Sequence, residues 1–238
     1  MRGKTAFITG AASGLGAALA DALAAEGADI VAADIHPAAL RDLLPRLRAH
    51  GVRTDAVELD AGDPAQAHEA IERTLDRMGR LDILVNNAGA DVTLPIDELR
   101  EEDWLRVIGA NLNGPFLLSK YAALHMRRQG AGDIVNIVST AARRAWPQAS
   151  AWHASKWGLL GMSHALHAEL RPHGIRVTAV VAGGMRTPPL GDGFPELDPN
   201  VLQDPADVAQ AILGALLLPR ASMVPELTVL PVRETSWP

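Results

Sequence analysis

The sequence contains no cysteine and few aromatic residues, with one tyrosine, three phenylalanines and five tryptophans among 238 residues. Without cysteine, disulfide bonds and thiolate metal sites are excluded, and the chain fits a reducing compartment. No apolar run reaches the roughly 18 to 20 residues that a membrane helix needs. The N-terminus also lacks the apolar region and cleavage site of a signal peptide. We therefore expect a soluble, cytoplasmic protein without a membrane partner.

The chain also has little net charge, −6 at pH 7, and no run of basic residues. Nothing in it could follow a phosphate backbone, which argues against nucleic acid as a partner and leaves small molecules. His164 and His167 lie one helical turn apart, but no third ligand has a fitting spacing, so we predict no metal site. With 48% hydrophobic residues, the chain can bury one sizeable core. We expect one domain spanning residues 1–238.

Short runs rich in Val and Ile alternate with longer Ala- and Leu-rich segments of helical period. This pattern predicts an α/β fold, a doubly wound parallel sheet of about seven strands flanked by helices, the Rossmann fold. The predicted strands are "TAFIT", "DIVAAD", "TDAVEL", "DILVNN", "DIVNIVS", "RVTAVVA" and "ELTVLP". The predicted helices lie near residues 14–26, 37–50, 64–78, 102–128, 151–171 and 205–218.

Several helix ends are marked chemically. Asp63 before Pro64 predicts an N-cap, while Gly27 and Gly174 predict C-terminal stops. Pro45 falls inside the second helix and is expected to kink or split it.

A glycine turn follows the first strand in "TAFITGAASGLGAALADALAAEGADIVAAD". Gly10, Gly14 and Gly16 permit a tight turn and aim helix N-terminal amides at a pyrophosphate. The turn follows a strand, opens a helix and precedes an acid at the end of the next strand, which is the context of a dinucleotide site. We therefore predict dinucleotide binding.

The acid in question is Asp34, which can accept hydrogen bonds from ribose hydroxyls and would repel a 2′-phosphate. Ser13 stands in the glycine turn where no Arg or Lys could pair with such a phosphate. Both observations favour NAD over NADP. The alternative is that Asp34 merely caps the helix starting near Pro37.

Further motifs follow in order: "NNAG" at Asn86, Asn87, Ala88 and Gly89, then Asn111, Ser139, Lys156, and Gly183 with Thr187. Together with the glycine turn they resemble the short-chain dehydrogenase/reductase family over nearly the whole chain. The resemblance implies a nicotinamide cofactor, hydride transfer between it and an alcohol or carbonyl carbon, and a homodimer or homotetramer built through the helices at 102–128 and 151–171. The implied cofactor contacts are Gly10, Ser13, Gly14, Leu15, Gly16, Asp34, Asp60, Ala61, Asn86, Asn87, Ala88, Gly89, Lys156, Gly183 and Thr187.

The resemblance also implies a catalytic group. Asn111 would hold a water relay, Ser139 would hydrogen-bond the substrate oxygen, and Lys156 would bind the nicotinamide ribose and acidify a tyrosine. The tyrosine place in "SAWHASKWG" is Trp152. Residues four apart share a helix face, so Trp152 and Lys156 should point the same way.

A tryptophan changes the chemistry, because an indole N–H donates a hydrogen bond but is neither an acid nor a base. Histidine is a common residue for proton transfer, so His153 is a candidate replacement, yet it lies about 100° around the helix. Three interpretations of Trp152 stay open. The chain is a reductase for an activated carbonyl or an iminium, or a cofactor-binding protein with impaired catalysis, or an engineered Tyr-to-Trp variant of an ordinary dehydrogenase.

Other residues near the expected substrate pocket have two interpretations each. Arg143 and Arg144 follow Ser139, and Arg144 would grip an anionic substrate unless it is a solvated surface charge. Trp146, Trp152 and Trp157 would line an apolar pocket, unless Trp157 packs in the core or a subunit interface. By the resemblance, the Pro- and Gly-rich segment near residues 187–204 would be a short substrate lid.

Overall fold

The computed structural model describes residues 1–187 and 201–233. Seven strands form one sheet: β1 Thr5–Thr9, β2 Asp29–Asp34, β3 Thr54–Glu58, β4 Ile83–Asn86, β5 Gly132–Ile137, β6 Ile175–Ala182 and β7 Glu226–Val229. The helices are α1 Gly14–Ala25, α2 Pro37–Arg48, α3 Pro64–Met78, α4 Glu101–Ile108, α5 Gly114–Gln129, α6 Ser150–Leu170 and α7 Pro205–Leu217. These elements confirm the predicted α/β doubly wound sheet.

Every neighbouring pair of strands is parallel, and the spatial order is β3-β2-β1-β4-β5-β6-β7. The chain therefore winds outward in one direction from β1 and in the other from β4. Ligands of such sheets bind at the carboxyl ends of the strands where the order reverses. This places a crevice between the loops that follow β1 and β4.

Helices cover both faces of the sheet, because alternate strand residues point to opposite sides. Ile8 and Ile30 pack with α1, α2 and α7, in a core that includes Leu19. Phe7 and Val31 point to the other face and pack with α3 and α5. A smaller cluster joins α6 to β6. The inner strands β1, β4, β5 and β6 are consequently buried at every residue, as their continuous apolar runs require. The edge strands β3 and β7 are only partly buried.

The marked helix ends have the predicted chemistry. The Asp63 carboxylate accepts hydrogen bonds from the amides of Ala65 and Gln66 at the start of α3. Gly27 and Gly174 have φ angles of +86° and +73°, which suit glycine at a helix end. Pro45, however, does not split α2, which continues to Arg48. Leu44 and Leu47 on either side of it are buried, so packing holds the last turn in place.

The helix expected at 102–128 is in fact interrupted. It consists of α4, a π-helical turn at Gly109–Asn113, and α5. The prediction of one continuous α-helix was therefore wrong. A π-helical turn contains an extra residue but does not end the helix. The turn carries Asn111, one of the predicted catalytic residues.

Among the helices within residues 1–187 and 201–233, none combines the length and apolar character needed to cross a membrane.

Candidate active site and family membership

The glycine turn is closely packed, and this explains its composition. Gly10 has a φ of +62°, and a Cβ atom there would come within 2.8 Å of the Asn87 side-chain nitrogen. A Cβ on Gly16 would collide with the carbonyl oxygen of Gly10. Gly14, with φ +52°, faces the Thr187 methyl group, which a Cβ would approach to 3.0 Å. The turn thus brings Thr187 to the N-terminus of α1, where Ser13 makes no side-chain cap and Leu15 is buried.

The loop after β4 is tied directly to the glycine turn. The Thr9 hydroxyl accepts hydrogen bonds from the amides of Asn87 and Ala88, both at 3.0 Å. The Asn87 side chain donates to the carbonyl oxygens of Thr9 and Gly10. These contacts set the backbone of the "NNAG" segment beside the glycine turn.

Asp34 lies at the end of β2 and holds the same turn from the other side. One of its carboxylate oxygens accepts from the Ala12 amide at 3.0 Å, and the other accepts from the His36 amide at 3.1 Å. The amides that begin α2 receive no side-chain cap. Asp34 is therefore not the cap of α2. A carboxylate has about four acceptor sites, so it can still accept from ribose hydroxyls.

Two other predicted cofactor positions lie beside this crevice, whereas the Asn86 side chain points elsewhere. Asp60 and Ala61 follow β3, where the Asp60 carboxylate accepts from the Gly62 amide. Asn86 is buried and donates to Ser119 and Asn136 within a polar chain across the sheet. Its side chain thus supports β4 and β5 rather than facing the crevice.

Asn111 is fully buried in the π-helical turn. Its side chain accepts from the Ala90 amide at 2.7 Å and donates to the Ala90 carbonyl oxygen at 2.9 Å. It also donates to the Ser155 hydroxyl, which in turn donates to the Trp152 carbonyl oxygen. Asn111 therefore clamps the segment after Gly89 and connects it to α6.

Lys156 and Trp152 share one face of α6, which confirms the expected orientation. The Lys156 ammonium lies 4.8 Å from the centre of the Trp152 ring, a cation–π geometry. It donates to the Ile137 carbonyl oxygen at 2.9 Å, at the end of β5. Burial lowers the pKa of Lys156 from its ordinary 10.5 to about 8, and the nearby Asp91 carboxylate opposes that shift. The site thus holds a buried amine against an indole.

Ser139 lies two residues beyond Ile137 and accepts from the Ala141 amide, which starts a short 3₁₀ turn. His153 holds this turn from α6. Its Nε2 accepts from the Trp146 amide, so its Nδ1 carries the proton and donates to the Ala141 carbonyl oxygen. Both nitrogens of His153 are thereby occupied with the loop, so His153 positions the loop and is not poised as an acid.

The other candidate residues near the expected substrate pocket lie in different surroundings. Arg143 pairs with both oxygens of Glu226, which also contacts His164. Arg144 is half-buried at the edge of the same loop. Trp157 is 53% exposed, which excludes packing in the core of this chain and leaves the subunit interface as the expected alternative. No group of three His, Asp or Glu residues with metal-binding spacing occurs within residues 1–187 and 201–233.

The sixth strand also ends at this edge of the sheet. The Gly183 amide donates to the Val229 carbonyl oxygen, and the Thr187 amide donates to Met185. The proposed lid near residues 187–204 falls largely outside the described residues and stays a prediction.

The model of the short chain dehydrogenase family matches residues 4–196. The chain belongs to the short-chain dehydrogenase/reductase family. It is 39% identical over 178 residues to D-threitol dehydrogenase of Mycolicibacterium smegmatis, covering 75% of this chain and 68% of that protein. It is 36% identical over 187 residues to an oxidoreductase of Thermotoga maritima, covering 79% and 73%. The structure of NAD⁺-bound xylitol dehydrogenase superposes with a TM-score of 0.89 at 26% identity, covering 97% of this chain and 98% of that one.

Family membership makes the chain an oxidoreductase by descent, and members bind nicotinamide cofactors such as NAD(P). The sequence analysis missed two residues that this geometry involves, Ser155 and Asp91. Only Asp91 had a usable signal, since it is a charged residue two positions after the "NNAG" motif.

Proposed function

We propose that the protein is an NAD(H)-dependent oxidoreductase that transfers a hydride between nicotinamide and a small carbonyl, alcohol or imine substrate. The observation that carries this proposal is the connected group Asn111, Ser155, Trp152 and Lys156, together with Gly89 beside it. A Cβ on Gly89 would lie 3.0 Å from the Asn111 side-chain oxygen and 3.9 Å from the Lys156 ammonium. A connected group of this kind can hold a substrate and a cofactor in the fixed relative orientation that hydride transfer needs.

The residues present fit a dinucleotide. The tight glycine turn leaves the first amides of α1 without helical partners, and such amides favour a pyrophosphate. Asp34 is placed beside that turn and supports NAD over NADP by repulsion of a 2′-phosphate. Gly10, Ser13, Gly14, Leu15 and Gly16 would hold the pyrophosphate. Asp60 and Ala61, the segment from Asn86 to Gly89, Gly183 and Thr187 would complete the site.

Each proposed catalytic residue has a distinct task. When bound, nicotinamide supplies or accepts the hydride. Lys156 would bind the nicotinamide ribose, and Ser139 would hydrogen-bond the substrate oxygen. Trp152 would donate its indole N–H to the same oxygen, but it cannot transfer a proton. Arg144 would attract an anionic group of the substrate. The proton must consequently come from a group other than Trp152.

We take residues 1–238 as one catalytic and nucleotide-binding domain that works in the cytoplasm as a homodimer or homotetramer. The alternative function is nucleotide binding without turnover, and the specific observation that favours it is an indole where a proton donor is needed.

The test is a fluorescence titration with NADH and NADPH, followed by carbonyl reduction assays on wild type and Trp152→Tyr. Tryptophan emission should be quenched at lower NADH than NADPH concentration. We expect Trp152→Tyr to raise the reduction of an unactivated ketone such as cyclohexanone by about 100-fold, because a phenol adds general acid catalysis. Leu217→Tyr, at an exposed position of α7, is the control. Absence of nucleotide binding would end the proposal, and binding without turnover in either form would favour the alternative.

A further inference from the structure

We infer that the Asp91 carboxyl group supplies the proton that Trp152 cannot give. This inference rests on the proposed oxidoreductase function and concerns the same site. It assigns a catalytic role to a residue outside the group Asn111, Ser139, Trp152 and Lys156.

The backbone places Asp91 at the site with little freedom. Gly89 packs beside Asn111 and Lys156, and Ala90 is clamped at both its amide and its carbonyl by the Asn111 side chain. Asp91 is the next residue, so its position is fixed by a buried hydrogen-bonded anchor. Its carboxylate accepts from the Val92 amide at 2.7 Å, which orients one oxygen and leaves the other available.

The charged groups that face Asp91 come from two helices. The Lys156 ammonium lies on α6 and the Arg106 guanidinium on α4, while His153 of α6 adds no positive charge because its Nε2 accepts from the Trp146 amide. The two cations favour the ionised carboxylate, but desolvation by burial is the larger effect and raises the pKa of Asp91 above its ordinary value. Asp91 nevertheless remains exposed at the mouth of the crevice. A carboxyl group in this setting can both give up a proton and regain one from water.

Lys156 and His153 are less suited than Asp91 to supply this proton. Lys156 is buried, donates to Ile137 and lies over the Trp152 ring, so its protons are directed away from solvent. His153 uses both ring nitrogens to hold the 3₁₀ turn.

A bound dihydronicotinamide would supply the hydride that the substrate carbon accepts, while the C=O electron pair would move to oxygen. That oxygen would take the proton of the Asp91 carboxyl group as its O–H bond breaks. The resulting carboxylate would regain a proton from the bulk solvent. In alcohol oxidation, Asp91 as carboxylate removes the hydroxyl proton.

The first test is the titration of Asp91 itself, measured by NMR on protein labelled with ¹³C at the aspartate carboxyl groups. Asp91→Asn identifies the resonance by its loss and retains an acceptor for the Val92 amide. We expect a midpoint above the ordinary value of about 3.9, and a further rise in Lys156→Met because the ammonium favours the carboxylate. A midpoint at or below the ordinary value would overturn the inference.

The second test is kinetic and uses butane-2,3-dione, an activated dicarbonyl, with NADH. Asp91→Asn should lower kcat/KM by about 100-fold, the size of a general acid contribution, whereas Asp97→Asn in the same connecting segment should not change it. Wild-type kcat/KM should fall as pH rises through the Asp91 titration. A structural role for Asp91 would not give that profile.

The double variant Trp152→Tyr/Asp91→Asn tests whether a phenol at position 152 takes over the role of the Asp91 carboxyl group. If it does, adding Asp91→Asn to Trp152→Tyr should lower kcat/KM by less than about 3-fold, because the effects of two residues that serve one role are not additive. Full wild-type activity in Asp91→Asn would overturn the inference. So would a wild type that binds NADH but reduces nothing while Trp152→Tyr does, an outcome that leaves the oxidoreductase function of the fold intact. Loss of NADH binding itself would instead remove the proposed function, and the catalytic role of Asp91 with it.

Discussion

Lys156 carries an energetic cost that the rest of the site must offset. Lys156 is 3% exposed, and its ammonium forms no ion pair with a carboxylate among the described residues. Its charged form is favoured by one backbone carbonyl, by the face of Trp152 and by the charge of the nearby Asp91 carboxylate. Burial nevertheless dominates and lowers the pKa of Lys156 to about 8. A lysine of this kind changes charge near physiological pH, in contrast to an exposed one.

The lowered pKa predicts a pH dependence of stability. Between about pH 8 and 10.5, the unfolded chain retains a proton on Lys156 that the folded chain has released. The free energy of unfolding should therefore rise with pH across this window, by at most about 1.4 kcal/mol per pH unit. Urea denaturation at several pH values should show this rise in wild type and in Lys120→Met, which changes an exposed lysine. It should be absent in Lys156→Met; an identical rise there would contradict the assignment.

At the scale of secondary structure, the π-helical turn is the element that forms the site. It buries Asn111 and presents its side-chain amide to Ala90 and to Ser155 of α6. A plain α-helix would carry the same residue without the local widening of the turn. One side chain consequently joins two separate segments to the turn.

The strands, most helix ends and the glycine turn were predictable from the sequence, because each depends on local periodicity or on turn chemistry. The π-helical turn was not. Buried positions recur every three or four residues from Asp103 through Val107 and Asn111 to Leu118 and Met126, which is also the pattern of one continuous helix. The direction of the Asn86 side chain was equally hidden, since the motif spacing does not state which of two adjacent asparagines faces the crevice. Asp91 was overlooked because only the fold brings its carboxylate near the charge of Lys156.

The clamp made by Asn111 predicts a local effect on the backbone. Asn111→Ala removes both hydrogen bonds to Ala90, so the free energy of unfolding should fall by about 1–3 kcal/mol. The Ala90 amide should also exchange its hydrogen faster, as measured by NMR. Asn113→Ala is the matched control, because Asn113 lies in the same turn but is exposed. Unchanged protection of Ala90 in Asn111→Ala would show that the clamp does not hold this segment.

At the scale of the whole molecule, the two edges of the sheet have different tasks. The carboxyl edge carries the glycine turn, Asp34 and the proposed catalytic residues. The opposite edge is held by a buried ion pair between Arg176 and Asp133, at 2.6 Å, and Arg220 joins the same carboxylate. Arg176 also donates to the carbonyl oxygens of Leu216, Leu218 and Ser222, which fixes the end of α7. These stabilising contacts lie at the end of the sheet opposite the crevice. Substitutions in the loops of the site therefore leave them intact.

The outer surface of one helical layer bears several large exposed apolar side chains. They lie on helices that pack against one another, with Trp104 and Leu105 on α4, Phe116 and Leu124 on α5, and Trp157 on α6. Exposed apolar area of this kind is typical of protein interfaces, and members of this family are commonly oligomers. We expect this layer to form the contact between subunits.

A charge introduced into that layer should therefore separate the subunits. Leu105 is 67% exposed, so Leu105→Glu leaves the core of the monomer intact while placing a carboxylate where a partner would bury it. Light scattering after size exclusion should show a mass reduced to that of a smaller assembly. Leu217→Glu is the matched control, because Leu217 is 50% exposed but lies on α7 in the other layer. A wild-type monomer, or an unchanged mass in Leu105→Glu, would refute this interface, and equal dissociation by Leu217→Glu would assign part of the contact to the opposite layer.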